Sequence, residues 1–236
     1  GHPSHIALRE QVKKGEVLGP HIYTSGPSFN GLSVKSPEGA DKMVREQKSM
    51  GYDFLKLHPG LTRANFDAIV KTANEVGITF GGHVSSAVGV WRAIEANYAT
   101  IDHLDGFIEG MVPGIEAMTD QEIGFFGLFV GKKADLSQVP KLVNGLREHR
   151  VWVVPTQCLA ERWIAADKSP EDLRSAPEMK YMDPKTLDQW VENKKRQMAV
   201  PGYNAEEVGN YIALRRQLIK ACSQGVDHRL ARQGGR

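Results

Sequence analysis

Cysteine is scarce in this chain: Cys158 and Cys222 are the only two, far apart and outside any CxxC spacing. That excludes a disulfide framework and a zinc knuckle, and both read as buried thiols. Long apolar runs are missing too, the longest being strand-sized and far short of the roughly 18 residues that a bilayer span needs. No charged stretch followed by an apolar one opens the chain, so no export signal is read there. Compartment stays open: cytoplasmic, or exported if a leader precedes Gly1. An excess of either charge is absent, with 30 basic against 28 acidic residues and a net charge of +2. No basic stripe interleaved with aromatics is present, so neither nucleic acid nor an anionic membrane is an expected partner. At 236 residues, 41% hydrophobic and 25% charged, the chain reads as soluble globular material forming one large domain.

What is present is an alternation. The chain opens on a helical pattern with Ile6, Leu8, Val12 and Val17, with no strand before it. His21-Ile22-Tyr23-Thr24-Ser25-Gly26 then reads as a strand, and Pro37 to Met50 as a helix with Ala40, Met43, Val44 and Gln47 on one face. Strand 53–58 leads to a helix from Thr62 to Val76, with Thr62 as N-cap, Phe66, Ile69, Val70 and Ala73 inward and Gly77 as the stop. Strand 78–84 leads to a helix capped by Ser86 and running to about Asn97, with Trp91 and Ile94 inward. Strand 99–104 is followed by a Gly-rich excursion over about 107–133 and then a helix from Asp135 with Leu136, Val139, Leu142, Val143 and Leu146 on one stripe. Val151-Trp152-Val153-Val154-Pro155 reads as a strand buried on both faces. Segment 158–208, broken by Pro170, Pro177, Pro184 and Pro201, reads as a lid inserted after that strand. The last helix runs from Val208 to Cys222, with Tyr211, Ile212, Leu218 and Ile219 inward, and 223–236 reads as an irregular charged tail. Five strands alternating with helices predict an α/β fold with a parallel sheet or barrel.

Lys56, His83 and His103 each close one of these strands. They are separated by 27 and 20 residues, one repeat each, so they project from equivalent positions. In a parallel barrel, strand C-termini converge on one face. Two imidazoles and an oxygen ligand suit Zn²⁺ or a similar divalent ion. Lys56 flanks an apolar strand, where a buried ammonium is costly and a functional reason gains weight. His58 is a candidate substrate contact or a solvated mouth histidine. Asp102 points away from His103 toward a salt bridge or cap, and Asp105 is either a loop cap or part of the site. Tyr23 and Thr156 are candidate pocket residues, Tyr23 with core packing as its competing role.

The ordered set Gly19-Pro20-His21-Ile22-Tyr23-Thr24-Ser25-Gly26-Pro27, Asp53-Phe54-Leu55-Lys56-Leu57, Gly82-His83-Val84, Ile101-Asp102-His103-Leu104-Asp105-Gly106 and Val153-Val154-Pro155-Thr156 resembles the third to seventh strand segments of the amidohydrolase superfamily, in its imidazolonepropionase and prolidase-like branch. The resemblance covers roughly residues 1–222 and implies a partial TIM-type (β/α)8 barrel lacking strand 1 and strand 8. It implies metal ligands at Lys56, His83 and His103, with Lys56 carboxylated to a carbamate that bridges two ions. The implied chemistry is hydrolysis of an amide, cyclic amide or peptide C–N bond by a metal-activated water, with one or two Zn²⁺ ions in the complete enzyme and a small amide or peptide as substrate.

The family's HxH pair on the first strand has no counterpart here, since His2 and His5 are not alternate residues on a strand face. Its eighth-strand aspartate is not matched either, because Asp227 follows no apolar strand. On this reading the chain is a fragment that binds metal weakly and lacks turnover by itself. Two other readings stand beside it: a Schiff-base lyase or aldolase on the same fold with Lys56 as nucleophile, and a non-catalytic truncated remnant.

Overall fold

A computed structural model describes residues 1–225. In chain order its elements are α1 Pro3–Lys13, α2 Pro37–Ser49, β1 Phe54–Leu57, α3 Arg63–Val76, β2 Thr79–Gly82, α4 Val90–Glu95 and β3 Thr100–Asp102. There follow α5 Asp120–Ile123, α6 Val139–Glu148, β4 Trp152–Val154, α7 Gln157–Leu159, α8 Pro170–Ser175, α9 Pro184–Met198 and α10 Ala205–Gly225. The strands form one parallel sheet in the order β1-β2-β3-β4. Short 3-10 turns fill the stretch between β3 and α6, and a π-helical turn spans Ala160–Ile164.

The helices form where periodicity and caps agree. In α3 the Thr62 hydroxyl accepts from the Asn65 amide, Gly77 ends the helix at φ 64°, and Phe66, Ile69, Val70 and Ala73 are buried. Ala40 and Val44 of α2 are fully buried against this helix. Burying a ring such as Phe66 contributes roughly 1.5–3 kcal/mol. Pro170, Pro177 and Pro184 each open a helical turn, as expected for a residue whose missing N–H would be unsatisfied there anyway.

Among the described residues, helices cover one face of the sheet. Leu55, Leu57, Phe80 and Ile101 point into the helical layer and are buried. On the other face Phe54, Lys56, Thr100 and Asp102 stay partly accessible, and Trp152 and Val154 of β4 are 65% and 47% exposed. The expectation that the 151–155 strand is buried on both faces is therefore overturned: nothing among the described residues packs over that face. Tyr23, a candidate pocket residue with core packing as its competing role, is not in the core: it is 76% exposed and lines the cavity over the same open face.

Other expectations are also corrected. His21–Gly26 does not form a strand; only single bridges, Ser25 to Phe54 and Phe29 to Leu57, run beside β1. Pro27 lies between them and has no N–H to offer, which interrupts the ladder. The helix expected from Ser86 begins at Val90, because Gly89 sits at φ 72°, outside helical geometry. Cys158 is exposed, while Cys222 is half-buried and burial pushes its thiol up to about 11. Helix α10 continues three residues past Cys222, and the rest of the expected tail, Asp227 included, lies outside the described residues. Among the described residues no helix is long and apolar enough to cross a membrane.

Candidate active site

The ends of β1, β2 and β3 bring a row of rings together. The His58 and His83 centroids lie 4.8 Å apart, those of His83 and His103 4.6 Å, and Phe126 follows His103 at 5.7 Å. Two of the three expected site residues, His83 and His103, are thus neighbours at one rim. Each imidazole has its backbone pinned on both sides by other elements. The His83 amide donates to Leu57 and its carbonyl accepts from the buried Tyr98 hydroxyl at 3.0 Å. The His103 amide donates to Val154 at 2.7 Å, and its carbonyl accepts from Arg215 at 2.9 Å.

A hydrogen bond also selects the His83 tautomer. His83 Nδ1 is 2.8 Å from Oδ2 of Asp105, a buried carboxylate that also accepts from the Val84 amide. A carboxylate only accepts, so Nδ1 carries the proton. His103 Nδ1 is 2.8 Å from the Thr156 hydroxyl, a group that both donates and accepts, so this contact holds the ring without choosing its tautomer. The His83 Nε2 then presents a lone pair, and among the described residues neither ring's Nε2 has a hydrogen-bond partner. Burial, and next the nearby His83, hold His103 below the usual histidine range; His58 is lowered for the same two reasons in the same order. Neutral rings are the form that binds a metal.

Lys56 reaches the rim but is engaged. Its ammonium pairs with the Asp102 carboxylate, both side chains being largely buried. Asp102 thus makes the salt bridge that its orientation on the strand suggested. Gly82 makes room for this: a Cβ there would lie 3.0 Å from Lys56 Cδ and Nζ. Lys56 and Asp102 also border a cavity of about 700 Å³ over the open sheet face, lined further by Tyr23, Phe54 and Thr100.

The donor chemistry fits a divalent ion in part. An imidazole whose Nδ1–H is held by a carboxylate is the usual partner arrangement of a metal-ligating histidine, and His83 with Asp105 has it. Among the described residues, however, no group of three or more His, Cys, Asp or Glu side chains is arranged to hold a metal. His83 and His103 are therefore two neighbouring imidazoles without a third such donor among the described residues, and Lys56 as an ammonium paired with Asp102 has no lone pair to add.

Sequence reasoning missed Arg215 and Glu109. Arg215 had a signal, since it falls between Tyr211 and Leu218 on an otherwise apolar helical stripe and is only 2% exposed. Glu109, in an irregular Gly-rich stretch, had none.

A scan of known family models and a search of curated proteins find no match to this chain. Solved structures do match. Bottromycin amidohydrolase aligns with a TM-score of 0.61 at 19% identity, over 95% of this chain and 49% of that one. A Xaa-Pro dipeptidase with bound methionine in its active site aligns at 0.47 and 15% identity, over 94% and 57%. Molinate hydrolase aligns at 0.43 and 15% identity, over 84% and 46%. This chain spans about half the length of the solved structures it matches, and the first of them carries the assignment. By that likeness, this chain has the fold of an amidohydrolase.

Proposed function

We propose that this chain carries part of the active site of a metal-dependent hydrolase of amide or peptide C–N bonds, built on a partial (β/α)8 barrel. The observation that supports it is the His83–His103 pair, 4.6 Å between ring centroids, with both Nδ1 atoms hydrogen-bonded and the His83 Nε2 lone pair available. His83 and His103 would hold a divalent ion such as Zn²⁺, with further donors from outside the described set. When bound, such an ion polarises an amide carbonyl and lowers the pKa of a water.

The chain's own residues do the rest. Asp105 keeps His83 in one tautomer, and Thr156 holds the His103 ring through Nδ1. Lys56 joins the ligand set only as a carbamate, which requires it to leave Asp102; Asp102 then guards the uncarboxylated state. His58, neutral and tilted against His83, borders the place where a substrate amide would lie. Segment 158–208 acts as the lid and sets substrate choice.

Titrating Zn²⁺ into the whole chain, with the histidine rings followed by NMR, tests this. The His83 and His103 signals are expected to move together, while His2 and His149 stay still. Replacing His103 by glutamine should weaken binding at least about tenfold, the lower end of the effect usual for groups around a metal. A response confined to His2 and His5, or none at millimolar metal, would refute the reading. Borohydride trapping of a carbonyl compound on Lys56 would favour the Schiff-base alternative instead.

A further inference from the structure

We propose that Arg215 is a positioning residue of this site, a latch from α10 that clamps the ends of β3 and β4 and holds His103 in place. The inference rests on reading His103 as a working group of the site. Arg215 is 112 residues away in sequence, yet its Nη1 donates to the His103 carbonyl at 2.9 Å. Nη2 donates to the Pro155 carbonyl at 2.9 Å, and Nε to Oε1 of Gln157 at 3.1 Å. Nη1 also reaches the Tyr211 hydroxyl at 3.3 Å, which passes its own proton to the Phe126 carbonyl at 2.9 Å.

The backbone at these contacts needs holding. His103, Leu104, Phe126 and Thr156 all have positive φ, at 61°, 62°, 55° and 48°, although none is glycine. Side-chain-bearing residues leave such conformations unless their surroundings over-determine them. Arg215 binds the carbonyl of His103 and of the residue before Thr156, and Tyr211 extends the clamp to Phe126. One planar guanidinium thus ties three strained segments that together form the bed of the His103 ring. A lysine, with a point-like ammonium, cannot span the His103 and Pro155 carbonyls and Gln157 at once.

The experiment uses the full chain with ¹³C-labelled histidine and the variants Arg215→Lys and Arg215→Met. Folded variants, as judged by circular dichroism, are expected to show a displaced, broadened His103 ring signal. The His83 signal, held by Asp105 and Tyr98, should stay in place. Zn²⁺ affinity is expected to fall about tenfold in both, with no rescue by lysine. A folded variant with an unmoved His103 signal overturns the proposal.

If neither variant folds, the unsubstituted chain decides. Separate, slowly exchanging Nη signals for Arg215 support the clamp, and a freely rotating guanidinium overturns it. The ring signal needs no metal, so the latch can stand where metal binding fails. Metal binding can equally persist where the latch fails.

Discussion

Replacing Glu109 by glutamine is expected to stabilise the protein by about 2–3 kcal/mol at pH 8 and to change little at pH 4. The Glu109 carboxyl packs on the Cα of Gly127, and its Oε2 is buried without a hydrogen-bond partner. Burial is the largest reason its pKa rises from 4.5 to about 7; nearby Asp105 adds to the rise and Arg215 opposes it. Because the folded value lies above the unfolded one, the folded state holds the proton longer. Stability is complete below about 4.5 and is lost as pH rises toward 7. That difference of about 2.5 pH units corresponds to roughly 3 kcal/mol, from which an unpaired glutamine amide subtracts a part.

The histidines act with the opposite sign. His58 and His103 lie below their ordinary 6.5, so the stability their neutral forms give is complete above 6.5 and lost as pH falls from there toward the folded values. The two limbs overlap below 6.5 and partly cancel in the unsubstituted protein, whereas the glutamine variant keeps only the acid-side loss. Urea midpoints at pH 4, 6 and 8 for both proteins measure this. Equal midpoints at pH 8 would show that Glu109 is not buried as a charged group.

The second large effect concerns Asp105. Its Oδ2 serves both His83 Nδ1 and the Val84 amide, so Asp105→Ala leaves two buried donors unmatched at roughly 1–3 kcal/mol each. Asp105→Asn is milder for the fold, because its amide oxygen still accepts from Val84. It removes the charge that fixes the His83 tautomer, and Zn²⁺ affinity is expected to fall about 10- to 100-fold. Competition against a chromophoric chelator reads the affinity, and urea unfolding reads the stability. Asparagine with unchanged affinity would remove Asp105 from the site and leave it only as the cap of the Val84 amide.

Much of the scaffold was legible residue by residue. Thr62, Gly77 and the apolar positions of α3 announce that helix because capping and 3.6-residue periodicity are local properties. The runs around Lys56, His83 and His103 announce parallel strands because one helix separates each from the next. Trp152 and Val154 misled, since an apolar run reports affinity for a core and does not report whether a core covers both faces. His21–Gly26 misled in the same way: its composition suits a strand, but pairing is interrupted at Pro27. Asp105 was visible as a candidate, though its loop alone could not distinguish a cap from a histidine partner, and in the fold it is both.

By itself, then, the sequence determined the order of the helices and of the four paired strands, because these follow from local periodicity and repeat length; the equivalence expected of Lys56, His83 and His103 did not hold, since Lys56 lies inside β1 opposite Gly81 while His83 and His103 follow their strands. Only the tertiary structure decided that Lys56 pairs with Asp102, that Asp105 selects the His83 tautomer, that Thr156 meets the His103 ring, and that Arg215 donates to the His103 carbonyl. Those contacts join residues 22 to 112 positions apart, and they depend on where the sheet and α10 meet. No local pattern encodes such a meeting: it arises when the buried faces of separate elements pack on one another.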